Sequence, residues 1–270
     1  SSLERALRDD NDAMVRSQAA IALGQIGEKR SLSLLKTAMA EDASRDVRHQ
    51  AELAVYAIEH GFGATPELAA AYRELDETRF EQVRVGAAAP PFELPDTEGR
   101  IWRLSDHRGK KPVLLIWIFA DWCPVCHGEF RELIALRQEF ETAGVEVATI
   151  ECHDLYPARV MVGKEIAPLY WFSKSSFRES YTKNIWWPHL ADRAGAVGAA
   201  YGVQPLAFAV HSELINRPSV VIVDPDGIVR FAYYGTFWGD RPSIRQALEL
   251  VRSKRYEFES DRRLMVVDEP

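Results

Sequence analysis

Residues 113–129 read Val-Leu-Leu-Ile-Trp-Ile-Phe-Ala-Asp-Trp-Cys-Pro-Val-Cys-His-Gly-Glu, and this stretch decides the fold. The apolar run Val113 to Phe119 has no alternation, the pattern of a central strand covered on both faces, and it is far too short to cross a bilayer. Cys123-Pro124-Val125-Cys126 follows at once. Pro124 suits the first position of a helix, where its missing N–H is one the helix would leave unpaired in any case. Phe130, Leu133, Ile134, Leu136 and Phe140 continue at helical spacing up to Gly144, predicting one helix of about four turns. Val145 to Ile150 is the next strand, and strand–helix–strand predicts a right-handed parallel unit.

The spacing of the two cysteines carries chemistry. At the N-cap, Cys123 faces free backbone N–H groups and the positive end of the helix, both of which favour a thiolate. Cys126, one turn further on, is placed to resolve a mixed disulfide formed on Cys123. Glu129 lies on the same helix face as Cys126. Two readings of it stay open: acceptor of the Cys126 proton, or a first-turn carboxylate that complements the helix dipole.

Working outward, Phe92 to Leu104 reads as a hairpin around Asp96-Thr97-Glu98-Gly99. Ser219 to Val223 and Ile228 to Tyr234 are strands joined by Asp224-Pro225-Asp226-Gly227, and Ser243 to Val251 closes as a helix. Residues 154–215 are less regular and rich in aromatics: Tyr170, Trp171, Phe172, Phe177, Tyr181, Trp186 and Trp187. Core filling between helices is the plainer reading of these rings, a ligand groove the other. At the N-terminus, Leu7, Asp10, Val15, Arg16, Gln18, Ala19, Ala22 and Ile26 recur 32 residues later as Met39, Asp42, Val47, Arg48, Gln50, Ala51, Ala54 and Ile58. Such a repeat with helical spacing predicts stacked helix pairs. The expected organisation is helical repeats at 1–61, a linking helix at 62–83, the cysteine-bearing domain at 84–256 and a tail at 257–270.

Phe119-Ala120-Asp121-Trp122-Cys123-Pro124-Val125-Cys126 resembles the thioredoxin superfamily. The fuller resemblance, over about residues 84–252, is to redoxin domains of the TlpA/ResA and AhpC/TSA type. It is carried by Val85-Gly86-Ala87-Ala88-Ala89-Pro90-Pro91-Phe92, Leu190-Ala191-Asp192, Ala200-Tyr201-Gly202-Val203 and Arg217-Pro218-Ser219. The N-terminal repeat resembles HEAT repeats. These resemblances imply an α/β thioredoxin-like fold, a central mixed sheet flanked by helices, behind an all-α HEAT-like segment.

The family holds two chemistries. A peroxiredoxin would show Pro, Thr and Cys at 119, 123 and 126, and an Arg at the start of the strand ending at Asp224. Here Phe119, Cys123 and Pro218 stand at those places, and only Cys126 fits. Pro218 falls where the resemblance implies a cis-proline facing the cysteine pair. A buried Asp that thioredoxin carries is replaced by Trp117, while Glu129 matches a Glu of ResA-like proteins. The expectation is therefore a thiol–disulfide oxidoreductase acting on a protein disulfide or dithiol, with Cys123, Cys126, Glu129 and Pro218 catalytic and Trp122, Pro124 and Arg217 shaping the groove. A thiol peroxidase using Cys126 is the second reading. Copper or zinc binding by the cysteine pair with Cys152-His153, His127 or His211, or a purely binding scaffold, is the third. Cys152 is an additional thiol, resolving or inert.

The net charge of −7 gives no basic footprint for nucleic acid. Three cysteines are too few for a disulfide-stapled scaffold. No cofactor is implied and no membrane span is present. The expected partners are a redox protein and a protein docked on the helical repeats. The chain begins Ser1-Ser2-Leu3 and reads as cut at its N-terminus, so cytoplasmic and extracytoplasmic locations both stay open.

Overall fold

The computed structural model describes residues 1–60, 83–121, 123–165, 184–193, 195–203, 205–208, 213–235 and 239–259. The expected linking helix at 62–83 lies outside them except for Val83, as do Tyr170, Trp171, Phe172, Phe177 and Tyr181 of the aromatic segment.

Helices α1 (Ser2–Asp9), α2 (Ala13–Ile26), α3 (Leu32–Glu41) and α4 (Arg45–His60) form two stacked pairs. The 32-residue register has a physical reason. Arg16 donates from Nη1 to the carbonyls of Asp10 and Asn11 at 2.9 and 3.3 Å, just past α1. Arg48 does the same to Asp42 and Ala43, just past α3. Each arginine thus satisfies carbonyls at the end of the preceding helix. Arg16 also clasps the Asp42 carboxylate at 2.8 and 2.9 Å, which joins the two repeats and holds that carboxyl below its ordinary value. Leu7, Leu23, Leu35, Val47, Ala51 and Val55 pack between the pairs.

The second part is a five-stranded mixed sheet in the order β5-β4-β3-β8-β9. Its strands are β3 (Val113–Trp117), β4 (Glu146–Glu151), β5 (His189–Ala191), β8 (Ser219–Val223) and β9 (Val229–Tyr234). As expected, β3 is central and fully buried, parallel to β4 and antiparallel to β8. Leu114 and Ile116 face one core with Phe130 and Phe140, while Val113, Leu115 and Trp117 face the other with Tyr201. The hairpin β1 (Glu93–Pro95) with β2 (Ile101–Arg103) also forms where expected. A further hairpin, β6 (Pro205–Phe208) with β7 (Glu213–Asn216), falls in the stretch that reads as irregular; four-residue strands show too little alternation to be seen.

The helix after the cysteine pair is two helices, α5 (Pro124–Ala135) and α6 (Arg137–Ala143), broken at Leu136. The Trp186 indole N–H donates to the Leu133 carbonyl at 2.9 Å and so competes for the acceptor a continuing helix would use. The short helices α7 (Leu155–Met161) and α8 (Ala196–Ala200) follow β4 and β5, and α9 (Ile244–Ser253) closes the chain with a Ser243–Gln246 capping box.

The repeats touch the sheet domain through α4 and α7. The Arg45 guanidinium lies 4.6 Å above the Tyr156 ring and pairs with Glu165 at 2.8 Å. The His49 ring meets Tyr156 edge-on at 5.6 Å. Beside these contacts a cleft of about 680 Å³ runs between the two parts, with Arg48, Glu52, Asp154 and Arg193 in its walls.

At the end of β9, Gly235 donates to the Pro218 carbonyl at 2.8 Å, and a Cβ on it would overlap the Asp240 carbonyl oxygen. Backbone cannot be moved aside as a side chain can. Gly235→Ala is expected to lower the unfolding free energy by about 1–3 kcal/mol, read as a shifted urea midpoint; an unchanged midpoint contradicts this packing.

Candidate active site

The site lies where α5 leaves the carboxyl end of β3. Cys123 is the N-cap residue of α5 and Pro124 takes its first turn, as the sequence predicts. The Cys123 side chain makes no capping hydrogen bond, and both Cys123 and Cys126 are fully buried. All three cysteines are free thiols.

Cys126 has the better-furnished sulfur. Its Sγ accepts the Phe119 backbone N–H at 3.3 Å and Arg241 Nη2 at 3.3 Å. The same guanidinium binds both carboxylate oxygens of Glu129 through Nε and Nη2. Arg241 is itself buried, and its Nη1 has no hydrogen-bond partner among the described residues. One buried cation therefore serves both side chains.

Three contacts hold Arg241 there. Both Glu132 carboxylate oxygens, on α5, accept backbone N–H groups of Ile244 and Arg245 at 3.1 Å, pinning the start of α9 to α5. The Tyr233 hydroxyl donates to Asp240 at 2.6 Å, fixing the preceding residue. Gly235 leaves room for the Asp240 backbone.

The electrostatics follow from this geometry. Burial alone would raise the Cys126 thiol, but the Cys123 thiol, the Arg241 charge and backbone donors outweigh it and bring Cys126 down to about 5. Cys123 moves the opposite way: its thiol donates to Cys126, and burial and the neighbouring thiolate add to the rise. Burial pushes the Glu129 carboxyl up to about 7, with Arg241 restraining it.

The helix N-terminus was expected to ionise Cys123; the guanidinium and the backbone donor are instead on Cys126. Glu129 is bound to Arg241 rather than left as a free dipole-complementing carboxylate. Pro218 is also corrected. Among the described residues no cis peptide bond occurs, so the Arg217–Pro218 bond is trans. The Pro218 carbonyl accepts from Gly235, and Ser219 is paired with Trp117 and Tyr234.

The other expected residues are scattered. Arg217 is half-buried beside Pro218, and its Nε has no hydrogen-bond partner among the described residues. Cys152 is buried just after β4. Trp122 and His211 lie outside the described residues. The His127 ring turns toward the Asp121 carbonyl at 2.6 Å. Among the described residues, no group of three or more His, Cys, Asp or Glu is arranged to hold a metal. Arg241 was missed by sequence reasoning. Its only trace is the run Gly239-Asp240-Arg241-Pro242-Ser243 before a capped helix, which does not say where the guanidinium points.

Replacing Arg241 removes the cation while keeping the backbone donor. In a Cys123→Ser background, Arg241→Met is expected to raise the Cys126 pKa by about 1–3 units, read by thiolate ultraviolet absorbance against pH. An unchanged titration contradicts the assigned role of Arg241.

Comparison with known proteins places the chain in a family. Residues 85–232 match the AhpC/TSA family, and residues 1–55 match HEAT repeats. Thiol-disulfide oxidoreductase ResA of Geobacillus thermodenitrificans is 30% identical over 170 residues, 63% of this chain and 79% of that protein. Alkyl hydroperoxide reductase E of Mycobacterium tuberculosis is 33% identical over 150 residues, 56% of this chain and 84% of that protein. Among solved structures, peroxiredoxin 6 of Arenicola marina superposes with a TM-score of 0.53 at 18% identity, over 64% of this chain and 73% of that one, a likeness of fold. Among the described residues no helix is long and apolar enough to cross a membrane. The chain is an oxidoreductase of the AhpC/TSA family, carrying HEAT repeats at its N-terminus.

Proposed function

We propose that this protein is a thiol peroxidase in which Cys126 attacks a hydroperoxide and Cys123 resolves the product. The observation that carries this reading is the buried Arg241. It donates to the Cys126 sulfur through Nη2, and its Nη1 has no hydrogen-bond partner among the described residues. An N–H in that position can hydrogen-bond a peroxide oxygen while charge develops on it.

In the first step the Cys126 sulfur bonds to one peroxide oxygen and the O–O bond breaks. The departing oxygen takes a proton and leaves as alcohol or water, and Cys126 becomes a sulfenic acid. In the second, the Cys123 sulfur attacks the Cys126 sulfur; the S–O bond breaks, and the hydroxide with the Cys123 proton leaves as water. A Cys123–Cys126 disulfide results. An external dithiol then reduces it by exchange, and the disulfide chemistry expected from the cysteine spacing becomes the regenerating half of the cycle.

Burial favours a small oxidant. Neither sulfur is exposed, so a protein disulfide, like the external dithiol that regenerates the pair, could meet either one only after the site opened. Direct exchange with a protein disulfide remains the second reading. It is favoured by Cys123 at the N-cap, one residue outside the helix, and by the similarity to ResA. The HEAT repeats are the proposed docking surface for the protein reductant.

Peroxide consumption and the reduction of a protein disulfide should be followed side by side. Wild type is expected to turn over peroxide with a dithiol reductant, Cys126→Ser to consume none, and Cys123→Ser to consume about one equivalent and stop as the sulfenic acid. Peroxide consumption that survives in Cys126→Ser overturns the reading. Protein-disulfide reduction without peroxide turnover in wild type replaces it with direct exchange.

A further inference from the structure

A second polar cluster lies beneath the cysteine pair, on strands that read only as core. Thr149 and Glu151 alternate onto the same face of β4. Thr149 is registered with Ile116, which faces the core shared with Cys126 and Phe130. That face is therefore the one covered by α5. His189, opposite Thr149 on β5, spans the two side chains: its Nδ1 is 2.8 Å from Thr149 Oγ1 and its Nε2 is 3.2 Å from Glu151 Oε2. The Trp187 indole closes the cluster by donating to Thr149 Oγ1 at 3.0 Å.

The cluster meets the cysteine helix directly. Phe130 is one turn beyond Cys126 on α5, and its ring meets His189 edge-on at 5.4 Å and Trp187 at 5.1 Å. The β3–β4 ladder continues to the level of Glu151 through the Ile118 N–H bond to the Ile150 carbonyl at 2.9 Å. The next residue, Phe119, is the one whose N–H holds the Cys126 sulfur.

Glu151 is 1% exposed, and its Oε1 has no hydrogen-bond partner among the described residues. The charged and titratable groups around it are Cys126 from α5, His189 from β5, and His153 and Asp154 from the segment after β4; His153 Nδ1 is 4.0 Å from Oε1. Among the described residues no Lys or Arg pairs with Glu151; its basic neighbours are His153 and His189, and burial lowers His189 to about 3. A buried carboxyl with no Lys or Arg beside it is favoured as the neutral acid. Burial is the main cause of its raised titration, and the Cys126 thiolate and Asp154 add to it. Glu129 differs, because both its oxygens are engaged by Arg241.

Proton counting gives this acid a task. Reducing a hydroperoxide to alcohol and water takes two electrons and two protons. The resting pair supplies both electrons but only one proton, that of Cys123, because Cys126 has already lost its own. We propose that Glu151 is the proton store of the Cys123–Cys126 couple, holding the second proton while Cys126 is a thiolate and releasing it when that charge is consumed. The centre passes from thiolate, thiol and carboxylic acid to disulfide and carboxylate, with two electrons and two protons leaving together. The coupling is reciprocal: the thiolate keeps the acid protonated, and loss of the thiolate strengthens the acid at the moment the departing oxygen needs a proton. Glu151 touches neither reacting sulfur in this account; it acts on them through their charge.

The inference rests on the disulfide couple of the proposed reaction, not on which oxidant forms it, so the test uses dithiothreitol equilibria rather than peroxide. The dithiol/disulfide equilibrium constant is measured against pH for wild type and Glu151→Gln, an isostere that keeps a hydrogen bond to His189. The ratio of the two constants is expected to change about tenfold per pH unit over the range where Glu151 is an acid beside the dithiol and a carboxylate beside the disulfide. A ratio independent of pH overturns the proposal. Should the variant fail to fold, infrared difference spectra of oxidised minus reduced protein decide. The protonated-carboxyl stretch should disappear on oxidation in wild type and equally in Glu129→Gln; its absence from the Glu129→Gln spectrum assigns the proton to Glu129 and overturns the proposal. Failure of wild type to form any Cys123–Cys126 disulfide defeats the underlying reaction instead, and is distinguishable from either result.

Discussion

The bond from Arg241 to the Cys126 sulfur is the interaction on which the rest of the site depends. A guanidinium out of water is tolerated only with anions to match it, and here it has two, the Cys126 thiolate and the Glu129 carboxylate. Remove it and both anions are stranded in a closed pocket. Much of the surrounding structure serves to keep it in place: Glu132 ties α9 to α5, Tyr233 holds Asp240, and Gly235 makes room for the Asp240 backbone. The Glu132 contacts join residues more than a hundred positions apart, which makes the closing helix part of the site rather than a lid on the sheet.

The same constraint divides the labour between the two cysteines. Both lie at the start of one helix and both feel its dipole, so the dipole does not choose between them. The choice is made by the direct partners. Cys126 has a guanidinium and a backbone N–H; Cys123 has the Cys126 sulfur itself, which takes its hydrogen bond and holds its proton on. A Cys-x-x-Cys spacing thus carries an inner thiolate and an outer thiol here. Ionising the inner sulfur in advance strengthens the nucleophile but leaves the pair one proton short of what a peroxide takes up. The buried acid on β4 fits that shortfall, lying on the α5 side of the sheet with no Lys or Arg paired to it among the described residues.

The fold was largely legible in the sequence because its determinants are local or periodic. The unbroken run at Val113 to Phe119, the turn at Asp224 to Gly227 and the 32-residue repeat each specify their element without help from the rest of the chain. What was not legible depended on contacts distant in sequence. The break at Leu136 comes from Trp186, fifty residues on. The charge that ionises Cys126 comes from Arg241, and nothing in the residues around Cys126 announces it. For that reason the sequence points to Cys123, at the helix N-terminus, as the thiolate. Pro218 was placed in the right neighbourhood, next to β3, but its peptide bond is trans and its carbonyl accepts from Gly235. Glu151 and His189 went unnoticed because short buried strands leave no polar alternation to find.

The central claim is that Arg241 places the thiolate on Cys126. The direct measurement is a pH titration of the reduced protein with 13C-labelled cysteine Cβ positions, assigned by single Cys→Ser variants. The account predicts that the Cys126 resonance titrates near 5 and that Cys123 stays a thiol well above that pH. A Cys123 resonance that titrates first, with Cys126 remaining protonated, would contradict it.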